Sequence, residues 1–94
     1  MRLKWARRAL SDLDALQVYI AQDKPEAARR QAALILTAVD GLVRFPHSGR
    51  PGRLEGTREL VVAGTPFIVP YRVRADTVEI LGVFHGRQQW PKAF

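Results

Sequence analysis

The sequence predicts an α+β fold: an N-terminal strand, an antiparallel helix hairpin, then a three-stranded antiparallel meander. Two adjacent stretches of helical period fill the first half, and alternating apolar residues divided by turn residues fill the second. With 94 residues, 47% hydrophobic and 26% charged, the chain has the size and composition of one small globular domain.

Residues 1–5 alternate, with Leu3 and Trp5 on one side and Lys4 on the other, and read as a short strand. Residues 7–22 read as a helix, because Ala6, Ala9, Leu10, Leu13, Leu16 and Ile20 fall within about 120° of its circumference. Ser11, Asp12 and Asp14 lie early, where acidic groups favour the helix dipole. Ser11, Ala15, Val18 and Gln22 form the opposite, mostly solvated side. Ala21 to Lys24 is the turn, and Pro25 suits the first turn of a second helix over residues 25–43. There Ala28, Ala32, Ile35, Leu36, Val39, Leu42 and Val43 make the core stripe. A connection this short makes the two helices antiparallel neighbours.

Phe45 to Arg53 reads as a loop punctuated by Pro and Gly. Residues 57–62 read as a strand, Ala63 to Thr65 as a turn and residues 66–74 as the next strand, with Phe67, Val69, Tyr71 and Val73 on one face. Pro70 cannot donate to a ladder, so a bulge or an unpaired position is expected there. Ala75-Asp76 is a tight turn. Residues 77–85 read as the last strand, with Val78, Ile80 and Phe84 on one face and Leu81 and Val83 on the other. One sheet face can take the helix hairpin. The other is expected to stay partly exposed, which points to a partner.

Cysteine is absent, so disulfides, cysteine nucleophiles and Cys-ligated metals are excluded. The cytosol is the expected compartment. The longest apolar run, Ala32 to Leu36, is too short to span a membrane, and Met1 to Trp5 lacks the apolar core of a signal peptide. Fifteen Lys and Arg against nine Asp and Glu give a net charge of +6, and twelve of the fifteen are arginines. Such a balance fits nucleic acid or a strongly acidic protein as partner. Residues 41–94 carry eight basic and four acidic side chains. Arg50, Arg53, Arg58, Arg72, Arg74 and Arg87 there are either a surface for phosphate or an acidic peptide, or ordinary arginines paired with Glu55, Glu59, Asp76 or Glu79.

The sequence holds no Walker loop, no GxSxG, no HExxH and no paired-carboxylate arrangement, so no cofactor is expected. Two histidines, His47 and His85, are too isolated to suggest a metal site. His47 reads as a solvated loop residue. His85, at a strand end beside Gly86 and Arg87, could act as an acid or base or could simply pack.

Phe45-Pro46…Gly49-Arg50, Gly56-Thr57-Arg58-Glu59-Leu60, Pro66-Phe67-Ile68-Val69-Pro70-Tyr71-Arg72-Val73 and Val78-Glu79-Ile80-Leu81…His85-Gly86-Arg87…Trp90-Pro91 occur in the order found in the RelE/ParE superfamily of bacterial type II toxins, which the chain resembles over nearly its whole length. The resemblance implies a cytosolic toxin held inactive by a cognate antitoxin, a small DNA-binding protein with a flexible, acidic segment. It implies DNA gyrase as target if the chain is ParE-like, and the ribosome if it is a RelE-like mRNA endoribonuclease. In RelE-like nucleases an arginine commonly follows the first aromatic of the third main strand. Here the aromatic is Phe67 and the next residue is Ile68, which places the chain nearer to ParE. A nuclease would use His85 and Arg87. A gyrase inhibitor would use a binding surface, with Arg50, Arg53, Arg58, Arg72, Arg87 and Trp90 as candidates.

Overall fold

A computed structural model describes all residues, 1–94. Strand β1 (Arg2–Trp5) leads into helix α1 (Arg7–Ala21) and helix α2 (Pro25–Asp40), which continues as a 3-10 turn over Gly41–Val43. Strands β2 (Arg50–Pro51), β3 (Arg58–Val61), β4 (Phe67–Arg74), β5 (Thr77–Ile80) and β6 (Phe84–His85) follow. They form one sheet in the order β1-β5-β4-β3-β2, with β6 also paired to β4. β3, β4 and β5 are the expected antiparallel meander. β1 lies at the edge, parallel to β5, with the helix hairpin and the three strands β2, β3 and β4 between them in the chain.

The hairpin packs on one face. Ala9, Leu13 and Leu16 of α1 and Ala32, Ile35 and Val39 of α2 meet Val69, Tyr71, Val78, Ile80 and Val83 in a single core. Pro25 opens α2 as expected, with Glu26 in its first turn. α1 has no acid in its first turn. Asp12 instead reaches across to accept the Val83 N–H at 3.0 Å, tying the helix to the sheet.

Several expectations are corrected. Leu10 and Leu36, placed in the core stripes, are 53% and 43% exposed, because each stripe is wider than the surface it covers. The second helix ends its α geometry at Asp40 rather than residue 43. The loop of residues 45–53 contains the two-residue strand β2, paired with β3.

The last strand is interrupted rather than continuous over 77–85. Ile80 pairs with Tyr71 and Phe84 with Ile68, so three residues (81–83) face two (69–70). This is a bulge, and it lies opposite Pro70, as its missing N–H demands. The extra residue reverses the side-chain alternation. Val83 therefore enters the core, while Phe84, expected beside Val78 and Ile80, turns to the other face. Gly82 permits the crossing: a Cβ there would stand 2.5 Å from the Phe84 ring.

The second face is also less open than expected. Leu81 and Phe84 are buried on it under the C-terminal tail, with Trp90 stacked on Phe84 at 4.9 Å and Phe94 at 6.0 Å.

Candidate binding surface and cleft

The loop between α2 and β3 is anchored from the sheet. Tyr71 is fully buried, and its hydroxyl accepts the Gly49 N–H at 2.8 Å and donates to the Pro46 carbonyl at 2.8 Å. Gly49 must be glycine here, since a Cβ would lie 2.6 Å from the Tyr71 ring. Arg58 adds bonds to the carbonyls of Gly49 at 2.8 Å and His47 at 3.2 Å.

Glu59 is the hub of this region. It is only 3% exposed and sits opposite Pro70, on the face away from the helices. One carboxylate oxygen accepts from Arg50 Nη2 at 3.0 Å and Nε at 3.2 Å. The other accepts the Arg53 backbone N–H at 2.8 Å and its Nε at 3.1 Å. Burial by itself pushes this carboxyl up, but the Arg53 backbone bond and the two guanidinium groups outweigh it and hold it below its ordinary value. On the same face Arg72 Nε meets Glu79 at 2.6 Å, and that bond pulls the Glu79 carboxyl down.

The candidate residues thus fall into two groups. Arg50, Arg53, Arg58 and Arg72 are engaged within the fold. Arg87 and Trp90 lie in the tail. The Arg87 side chain is in no ion pair. Trp90 lies under the Arg53 guanidinium, 3.6 Å from its carbon to the ring centroid.

His85 points to the opposite side of the sheet. It pairs with Phe67, stands edge-on to that ring at 5.8 Å, and helps line a cleft of about 420 Å3 beside α1. Asp12, Leu16, Tyr19 and Ile20 of α1, with Phe67 and Val83, form its walls. Tyr19, at its edge, is 76% exposed. His85 Nδ1 accepts the Arg87 backbone N–H at 3.1 Å, so the neutral ring carries its proton on Nε2. No group of three or more His, Cys, Asp or Glu could hold a metal ion, and no helix is long and apolar enough to cross a membrane.

Sequence reading missed Tyr71, Asp12 and the cleft as organising features. It gave Glu59 only as one of four acids available to the arginines. Glu59 does carry a signal, a lone acid within a strand whose neighbours Leu60 and Val61 are apolar. Asp12 carries none, since its partner Val83 is 71 residues away.

The profile of the family described as ParE toxin of type II toxin–antitoxin systems matches residues 3–90. The chain belongs to the ParE toxin family. This ParE-family toxin is similar to the putative toxin Y4kP of Sinorhizobium fredii, with 55% identity over 97% of this chain and 94% of that protein. It is also similar to toxin RelE2 of Caulobacter vibrioides, with 41% identity over 86% of this chain and 90% of that one. Among solved structures, a chain of the chromosomal ParDE toxin–antitoxin system of P. aeruginosa superposes with a TM-score of 0.83 and 34% identity, over 90% of this ParE-family toxin and 95% of that chain.

Proposed function

We propose that this toxin of a type II toxin–antitoxin system acts in the cytoplasm as an inhibitor of DNA gyrase, by binding rather than by cutting nucleic acid. The observation that carries the reading is the division of the candidate residues by the sheet. His85 lies on the helix side, whereas Arg50, Arg53 and Arg72 lie on the other side, bonded to Glu59 and Glu79. Phosphoryl-transfer chemistry needs its acid, base and cations around one phosphate, and of the arginines in no ion pair only Arg87 adjoins His85. Exposed arginines and an aromatic residue on irregular segments are, by contrast, ordinary components of a protein-binding surface.

The antitoxin fits as a partner with an acidic, flexible segment. Arg7, Arg30, Arg74 and Arg87 are in no ion pair of the fold, and Leu10, Val18 and Tyr19 leave apolar surface on α1. Acids would pair with those cations while apolar side chains cover the helix. The ionic part of such a complex weakens with salt and the apolar part does not.

A RelE-like endoribonuclease is the second reading. It draws on the free Nε2 of His85 beside Arg87, and on the likeness to toxin RelE2. The His85→Ala chain separates the two. It is assayed for gyrase-dependent DNA breaks and for mRNA cleavage on translating ribosomes. A gyrase inhibitor keeps most of its toxicity in this variant, since no proton transfer is involved. A nuclease loses cleavage by roughly 10²–10⁴-fold. Wild-type mRNA cleavage that collapses in the variant, with no effect on gyrase, would overturn the proposal.

A further inference from the structure

We propose that the tail from Arg87 to Phe94 is a releasable strap, closed over the outer face of the sheet by one aromatic stack. The stack has four layers from four parts of the chain. Arg53 lies over Trp90 at 3.6 Å, Trp90 over Phe84 at 4.9 Å, and the Arg8 guanidinium stands on the Phe84 ring at 4.9 Å. Trp90 is the one layer of this stack supplied by the tail, and Phe94, tilted against the Phe84 ring at 6.0 Å, adds a looser second contact.

The hydrogen bonds that hold it lie at its beginning, where Gln88 Oε1 accepts the His85 N–H at 3.2 Å and His85 Nδ1 accepts the Arg87 N–H at 3.1 Å. The last backbone hydrogen bonds of the chain run from Gly86 N–H to the Pro66 carbonyl at 3.0 Å and from Gln88 N–H to the His85 carbonyl at 2.9 Å. Residues 89–94 make none. In the closed position the indole Nε1 of Trp90 is buried without a hydrogen-bond partner. A buried donor left unpaired is penalised, and opening the strap returns it to water. Burial of Leu81 and Phe84 favours closure, while the orphaned donor and the freedom of an unbonded terminal segment favour release. The two tendencies meet at Trp90, whose ring favours closure and whose indole N–H favours release.

Opening has a defined consequence, and this part rests on the binding-surface reading above. It uncovers the Phe84 ring and frees one face of the Arg53 guanidinium, so that an aromatic and a cation stand side by side. Glu59 keeps Arg53 in place whether or not Trp90 is there.

The test uses the isolated chain and is independent of gyrase. Trp5→Phe leaves Trp90 as the single tryptophan, and acrylamide quenching of its fluorescence reports its exposure. Arg53→Ala in that background should raise the open-to-closed ratio of the strap about threefold, the scale of losing one exposed cation–π contact, and so raise the quenching constant. Arg53→Lys, which keeps a cation, should stay near the parent. Equal quenching in all three chains, with unchanged far-ultraviolet circular dichroism, overturns the proposal. Limited trypsin digestion of the unaltered chain gives a second measurement, free of any folding defect in the variants. Cleavage after Arg87 or Lys92 while residues 1–86 stay intact is expected. Tail cleavage that arises only together with core fragments overturns the strap.

Discussion

Residues 45–53 and residues 86–94 are both irregular, both carry candidate arginines, and differ in how they are held. The first is fixed from below by Tyr71, Arg58 and Glu59, each bonded to its backbone or side chains. The second lies on the surface through Trp90 and Phe94, and its only backbone bonds are at its beginning. An arginine in the loop is therefore part of the fold, and its charge is already answered by Glu59. Arg87 of the tail is bonded to the fold through its backbone N–H alone, and its side chain is in no ion pair. Irregular segments are not one class: what decides their role is where their polar groups find partners.

Glu59→Ala should have the largest effect. It strands two guanidinium groups and the Arg53 N–H, and should lower stability by about 2–3 kcal/mol in urea denaturation, the scale of lost bonds to a charged group. The half-exposed arginines can partly rehydrate, which keeps the loss below that of a fully buried pair. A Glu59→Ala chain as stable as the parent would break the distinction between loop and tail.

Acid should loosen the loop through the same carboxylate. The Glu59 and Glu79 carboxyls lie below the ordinary value of 4.5, so their contribution is complete above that pH. It is lost as the pH falls through the lowered values, because the unfolded chain then binds more protons. Stability measured below about pH 4 should drop less steeply in Glu59→Gln than in the parent. Parallel curves would assign the acid sensitivity elsewhere.

Tyr71→Phe removes the hydroxyl that joins Gly49 and Pro46. With both backbone groups left without that partner, a loss of about 1–2 kcal/mol is expected, with the ring still filling the core. Arg87→Ala should be smallest, within about 0.5 kcal/mol, while weakening toxicity on expression. If Arg87→Ala destabilises the chain as much as Tyr71→Phe does, the tail is part of the fold after all.

Legibility follows the range of the interactions. The helix stripes, the Pro25 start, the turns and the alternation of β4 were readable, because each depends on residues a few positions apart. The bulge was half readable. Pro70 announces an irregular position, but that the extra residue falls on the opposite strand at 81–83 depends on the register of β6 against β4. That register reversed the faces of Val83 and Phe84, which the sequence placed in each other's layers.

The site shows the same division. Residue types alone named the arginines, His85 and Trp90, because guanidinium, imidazole and indole have fixed chemistry. Whether an arginine is free or answered depends on whether a carboxylate lies within about 3 Å of it, a distance on which sequence spacing is silent. Arg50 and Arg53 are brought to Glu59 by strand pairing, and His85 is turned from them by the pleat of the sheet. By itself, then, the sequence determined the α+β class, the toxin family and the chemistry available, since these rest on local periodicity and on ordered motifs. Only the tertiary structure decided which of those groups share a face and which already have partners, because both depend on strand register and burial set by residues far apart in the chain.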